Sequence, residues 1–92
     1  MIIPDLKEAI GKYNIRKYEE HAYRSTVYVA KHRLLVMERR GEKFTLEVVD
    51  NEHNVWHTIE EFEFSDETST VSAIHEFLAK NCGYTKAYST WS

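Results

Sequence analysis

Five histidines, one cysteine and an adjacent pair of glutamates are the side chains in this sequence whose types could carry chemistry. His53 and His57 lie four apart, a spacing that on a helix would bring two imidazoles to one metal ion. Here the spacing runs across a turn and into a strand, where the two side chains need not converge. No second cysteine, and no Asp or Glu at a ligand spacing, completes a tetrahedral set, so no metal is expected. His21, His32 and His75 read as surface or half-buried residues. Cys82 would need a base within hydrogen-bond reach to act as a nucleophile. His75 shares its helical face but sits about two turns, ~10.5 Å, away, which leaves Cys82 as an inert thiol near a helix end. Glu60 and Glu61 could form an acid/base pair, but neighbours on a strand point to opposite faces, and nothing builds a substrate pocket around them. Gly-rich phosphate loops, nucleophile elbows, Cys-x-x-Cys and His-Glu-x-x-His are all missing. The expectation is a protein with no catalytic residues and no cofactor.

Charge is the stronger signal. Residues 1–43 hold ten Lys/Arg against six Asp/Glu, whereas residues 44–79 hold nine Asp/Glu and no Lys/Arg. A formal net charge of −3 therefore hides a basic half and an acidic half. The acids crowd most at Glu60, Glu61, Glu63, Asp66 and Glu67, where a strand ends and a helix begins. As a solvated edge they would favour the helix N-terminus and pair with Arg33, Arg39, Arg40 or Lys43. As an exposed patch they would attract a basic partner, including a protein that ordinarily grips nucleic acid.

The basic half supports the opposite idea, nucleic-acid binding through Arg16, Lys17, Arg24, Arg33, Arg39 and Arg40. A helix, three strands and a helix resembles the order of a double-stranded-RNA-binding domain, which tracks shape and phosphates. Such domains carry a lysine-rich start to the last helix. This chain reads Ser65-Asp66-Glu67-Thr68 there, which repels phosphate. Aromatic residues add a further set: Tyr84, Tyr88 and Trp91 near the C-terminus are the types that anchor protein interfaces. Trp56 and Tyr28 read instead as caps on a small core.

The elements that hold these residues follow from periodicity. Pro4, Asp5 and Glu8 suit a helix start, and Leu6, Ala9, Ile10 and Tyr13 share a stripe, so residues 4–14 read as a helix weakened by Gly11. Residues 15–24 are polar and carry no clear pattern. Residues 26–32, 33–40, 43–50 and 55–64 read as strands. Gly41-Glu42 forms a two-residue hairpin loop that pairs Leu35 with Val48, Met37 with Leu46 and Arg39 with Phe44. The reverse face pairs Leu34 with Val49 and Val36 with Glu47. It is half apolar and calls for cover by the first helix or by a second copy of the chain in a homodimer. Residues 50–54 read as a turn. In the last strand Val55, His57 and Ile59 are odd-numbered while Phe62 and Phe64 are even, so a β-bulge at Glu60-Glu61 would keep both sets on one face. Residues 65–70 offer N-caps for a helix to about Asn81, with Val71, Ile74, Phe77 and Leu78 buried and Gly83 just past its end.

The reading is a small α+β fold, one domain over residues 1–92. A mainly antiparallel sheet of four to five strands carries two helices on one face, in the order α-β-β-β-β-α, with the tail as a possible final strand. Hydrophobic residues at 42% suffice for a core, and the lone cysteine rules out an internal disulfide. Without an apolar stretch near ~20 residues or a leader-like start, the expected location is the cytoplasm of the encoding cell or of a host. The function expected is non-enzymatic: a small regulatory or inhibitory protein, of the phage or mobile-element accessory type. It would bind another protein through the acidic patch and the C-terminal aromatics, with no membrane involved.

Overall fold

The computed structural model describes Ile3 and residues 6–83. Seven elements follow one another: α1 (Leu6–Ile10), β1 (Lys17–Glu20), β2 (Arg24–Tyr28), β3 (Arg33–Arg40), β4 (Lys43–Glu52), β5 (Val55–Phe64) and α2 (Glu67–Asn81). The five strands form one antiparallel sheet in sequence order, so β1 and β5 are its two edges. The fifth strand is therefore β1, drawn from the polar stretch that carried no pattern. The tail that the sequence offered as a final strand lies outside the described residues.

The β3–β4 hairpin has the expected register, with Leu35 opposite Val48, Met37 opposite Leu46 and Arg39 opposite Phe44. Gly41 takes φ 63°, and a positive φ at the first loop position is what glycine supplies in a type II′ turn. The next hairpin is tighter than residues 50–54 implied. β4 continues to Glu52, and the loop is His53-Asn54, with φ 54° and 62°. Two consecutive left-handed residues make a type I′ turn, and both His and Asn tolerate that region better than most side chains. β2 stops at Tyr28 rather than His32, because an antiparallel return to β3 must spend residues on reversal. Val29 and Ala30 donate to the Arg33 carbonyl at 3.0 and 3.2 Å to close that loop.

Register sorts the side chains onto two faces. Val27, Leu35, Met37, Phe44, Leu46 and Val48 meet Ile3, Leu6, Ile10 and Tyr13 from the N-terminal segment and Ile74 and Leu78 from α2 in the main core. Both helices thus pack on one face. On the opposite face Leu34, Val36 and Val49 form a second buried cluster with Tyr28 packed against it. The first helix does not cover these three, contrary to one expectation. They are nonetheless buried, and they offer no free surface.

α1 is shorter than the sequence stripe, and tight turns through Gly11, Lys12 and Tyr13 follow it. Asn14 then donates to the Gly83 carbonyl at 2.9 Å, tying this segment to the end of α2. In α2, Asp66 is the N-cap and accepts from the Ser69 backbone N–H at 2.7 Å. Gly83, at φ 67°, ends the helix by donating to the Leu78 carbonyl at 3.1 Å, as a left-handed C-terminal cap does.

Candidate functional site: the free edge of the sheet

β5 has the composition of a half-buried strand and the accessibility of an exposed one. Nine of its ten residues are exposed, and Phe64 is half-buried. Val55, Trp56, Ile59 and Phe62 are between 45% and 51% exposed, which sets this strand apart from the buried β3–β4 hairpin beside it. Among the described residues no strand pairs with its outer edge. Trp56, read from the sequence as a core cap, is therefore a surface residue.

The irregularity that the sequence placed at Glu60-Glu61 falls one residue earlier. Val49 pairs with Thr58 and Val48 with Glu60, so Ile59 is the extra residue of the bulge. The bulge has the expected effect, since Ile59 and Phe62 line the same groove on the helix face despite their opposite parity. On the reverse face lie Thr58, Glu61 and Glu63, opposite Val49, Glu47 and Thr45. Beyond the bulge the strand thus carries an apolar row toward the helices and an acidic row on the other side.

The groove itself holds about 730 Å³ between β5 and α2. Leu46 and Val48 floor it, Ile59, Phe62 and Phe64 form the strand wall, and Ser72, Ala73 and Phe77 belong to the helix wall. Arg33 and Lys80 also reach it, together with Glu60 and Glu76, so its charged rim is mixed. Arg33 is already held by Asp50 in a two-pronged pair at 2.8 and 3.2 Å. That hydrogen bond keeps the Asp50 carboxyl below, and the Arg33 guanidinium above, their ordinary pKa ranges.

The five acids differ in how far the fold uses them. Asp66 caps α2 and Glu67 occupies its first turn, both favourable to the positive helix end. Glu63 meets Lys43 at 3.1 Å in an exposed pair worth little. Glu60 stands near Arg33 and raises its pKa. Glu61 sits directly opposite Glu47 with no ion pair or hydrogen bond of its own among the described residues. Two like charges facing each other across a ladder cost stability rather than add it.

The basic set does not come together. Arg16, Lys17 and Arg33 lie at one end of the sheet, and Arg24, Arg39 and Arg40 at the other. Lys17 pairs with Glu19 at 2.7 Å and Arg40 with Glu38 at 3.0 Å. Arg39 lies 5.3 Å from the Phe44 ring centre. Tyr84, Tyr88 and Trp91 lie outside the described residues. His53 sits in a turn and His57 on β5, and no three His, Cys, Asp or Glu side chains converge on a metal site among the described residues. His75 is engaged with the Tyr13 hydroxyl rather than with Cys82. Burial and then Lys12 push its pKa down. Cys82 donates its thiol to the Leu78 carbonyl at 3.1 Å, and burial pushes its pKa up.

Sequence reasoning missed Val55, Ile59 and Phe62 as surface residues. Their apolar type argued for burial, and only the strand order reveals that they line an open edge. No helix among the described residues is long and apolar enough to cross a membrane. No protein-family model matches the chain, and neither does any curated protein or solved structure.

Proposed function

We propose that this chain is a non-enzymatic protein-binding domain that docks on a basic protein surface through the β5 edge and the acids beside it. The observation that carries the reading is β5 itself: ten residues of edge unpartnered among the described residues, with exposed apolar side chains interleaved with Glu60, Glu61 and Glu63. A fold normally hides such a row or breaks it. The unused charge of Glu61 opposite Glu47 supports the same reading, because the fold alone gains nothing from it. Asp66 and Glu67 extend the negative field past the strand end, and such a field speeds encounter with a cationic partner. A domain acting through docking alone fits a small regulatory or inhibitory protein of the cytoplasm. The split of the basic set between two ends of the sheet weighs against a nucleic-acid surface.

The test is affinity capture from the native lysate with three proteins in parallel. These are the wild type, a variant with Glu60, Glu61, Glu63 and Glu67 changed to Gln and Asp66 to Asn, and a variant with Arg16, Lys17, Arg39 and Arg40 changed to Gln. A partner kept by the basic-set variant and lost by the acidic-set variant is the expected result. Loss with the basic set and retention with the acidic set overturns the proposal.

A further inference from the structure

Given that reading, we infer that the partner's docking element is an extended strand that pairs with the outer edge of β5. It alternates apolar residues with Lys or Arg. The backbone argument comes first. An edge strand presents unpaired N–H and C=O groups along one side, and an added strand satisfies them at ordinary ladder geometry. With ten residues β5 offers about 33 Å of such edge.

Side chains then specify what the added strand must be. In a ladder, residues directly opposite share a face, so the added strand continues the two rows of β5. Its helix-facing row lies beside Ile59, Glu60 and Phe62, at the mouth of the groove floored by Leu46 and Val48, and is mainly apolar. Its other row lies beside Glu61 and Glu63, with Glu47 one strand further in, and is cationic. Period two thus converts the faces of β5 into a pattern of apolar and basic residues in alternation.

The same charges argue against a second copy of this chain as the occupant. Two β5 strands paired in parallel, or antiparallel with their overlap centred on residues 60–63, would bring the acidic stretch of each against that of the other, and like charges facing across a ladder are unfavourable. Acids and a bulge on an exposed edge are devices that prevent indiscriminate pairing. Here they disfavour acidic strands and favour a basic one.

Four end-capped decapeptides test this on the full chain. One alternates valine and lysine, and a second alternates valine and glutamate. The third has the valine/lysine composition in two blocks, and the fourth is the alternating valine/lysine peptide N-methylated at every second residue. Binding is read by chemical shift changes and amide hydrogen exchange. The expected result is that the first peptide binds, slows exchange within residues 55–64, and shifts signals from β5 and the facing side of α2. The other three should bind about tenfold or more weakly. If the block and N-methylated peptides bind as well as the first, strand pairing is overturned while acidic docking stands. If the glutamate peptide binds equally, both fail. Absence of binding by every peptide at millimolar concentration overturns strand pairing and leaves docking to the capture experiment. Concentration-dependent dimerisation that protects β5 assigns the edge to a second copy and also overturns the inference.

Discussion

β1 and β5 bound the same sheet but treat an unpaired edge in opposite ways. β1 has four residues, Lys-Tyr-Glu-Glu, with Lys17 and Glu19 paired to each other and Tyr18 packed against the main core. It is short, polar and largely closed, which is how proteins commonly blunt an edge. β5 has ten residues and four large apolar side chains about half exposed, beside a groove. Length and apolar content are what β1 lacks and what strand addition needs. The difference is one of length and composition rather than of topology, since among the described residues both strands have a single neighbour.

The sharpest way to break this contrast is to compare a residue on the strand next to β5 with one on β5 itself. Leu46 is 2% exposed and lies in the main core, directly opposite Phe62. Leu46→Ala should cost roughly 2–5 kcal/mol of stability in urea denaturation, because it removes a buried side chain and leaves a cavity. Phe62→Ala should cost about 1 kcal/mol or less, since its ring is already about half in water. Equal losses at the two positions would make the apolar row of β5 structural, and the docking reading would lose its main support.

The contrast also shows what the sequence could reveal. The β3–β4 register was legible because Gly41 punctuates two runs whose apolar residues pair on one face. β1 was not, because Tyr18 alone among Lys-Tyr-Glu-Glu favours a strand, and the segment becomes one when β2 offers it a ladder. The bulge was legible as a change of parity, and its position shifted by one because parity does not distinguish Ile59 from Glu60 as the extra residue. The acidic cluster was visible as a list of residues. That it lies on an edge strand, with apolar residues exposed between the acids, depends on strand order, which local pattern does not encode.

Asp66 separates structural acid from docking acid. Its carboxylate accepts from Ser69 N–H at 2.7 Å, so Asp66→Ala should cost about 0.5–2 kcal/mol through loss of the cap. Asp66→Asn keeps the acceptor and removes the charge, and thermal denaturation should place it close to wild type. Any loss of partner binding in the Asn variant then reports on the field around β5 rather than on helix fraying.

The far wall of the groove is α2, fastened to the N-terminal segment by Tyr13 and His75. Tyr13→Phe should cost about 0.5–1.5 kcal/mol, the usual net worth of one hydrogen bond. The folded-state pKa of His75 is depressed below its ordinary 6.5, so the unfolded chain binds the extra proton first. Stability from this group is therefore fully present above about pH 6.5 and is lost as pH falls through the folded pKa. Urea midpoints measured between pH 5 and 8 should show that decline in the wild type and a weaker one in His75→Gln. An unchanged profile in the variant would remove His75 as its source.

The smallest expected effect has the opposite sign and discriminates most finely between an edge kept for the fold and an edge kept for a partner. Glu61 faces Glu47 on the reverse side of the sheet, and no cation among the described residues pairs with either. Glu61→Gln removes the repulsion while preserving size and hydrogen-bonding capacity. It should stabilise the protein by about 0.2–1 kcal/mol, with the gain shrinking as salt screens the pair. Glu63→Gln, which breaks the exposed Lys43 pair, should change stability little and without that sign. If docking uses the acidic row, Glu61→Gln should nevertheless slow association with a basic partner, most clearly at low salt. Improved folding with slower association would locate a stability cost retained for binding on one side chain. If Glu61→Gln stabilises the fold and association is unchanged at every salt concentration, Glu61 is an unoptimised surface residue and the docking field must lie elsewhere along β5.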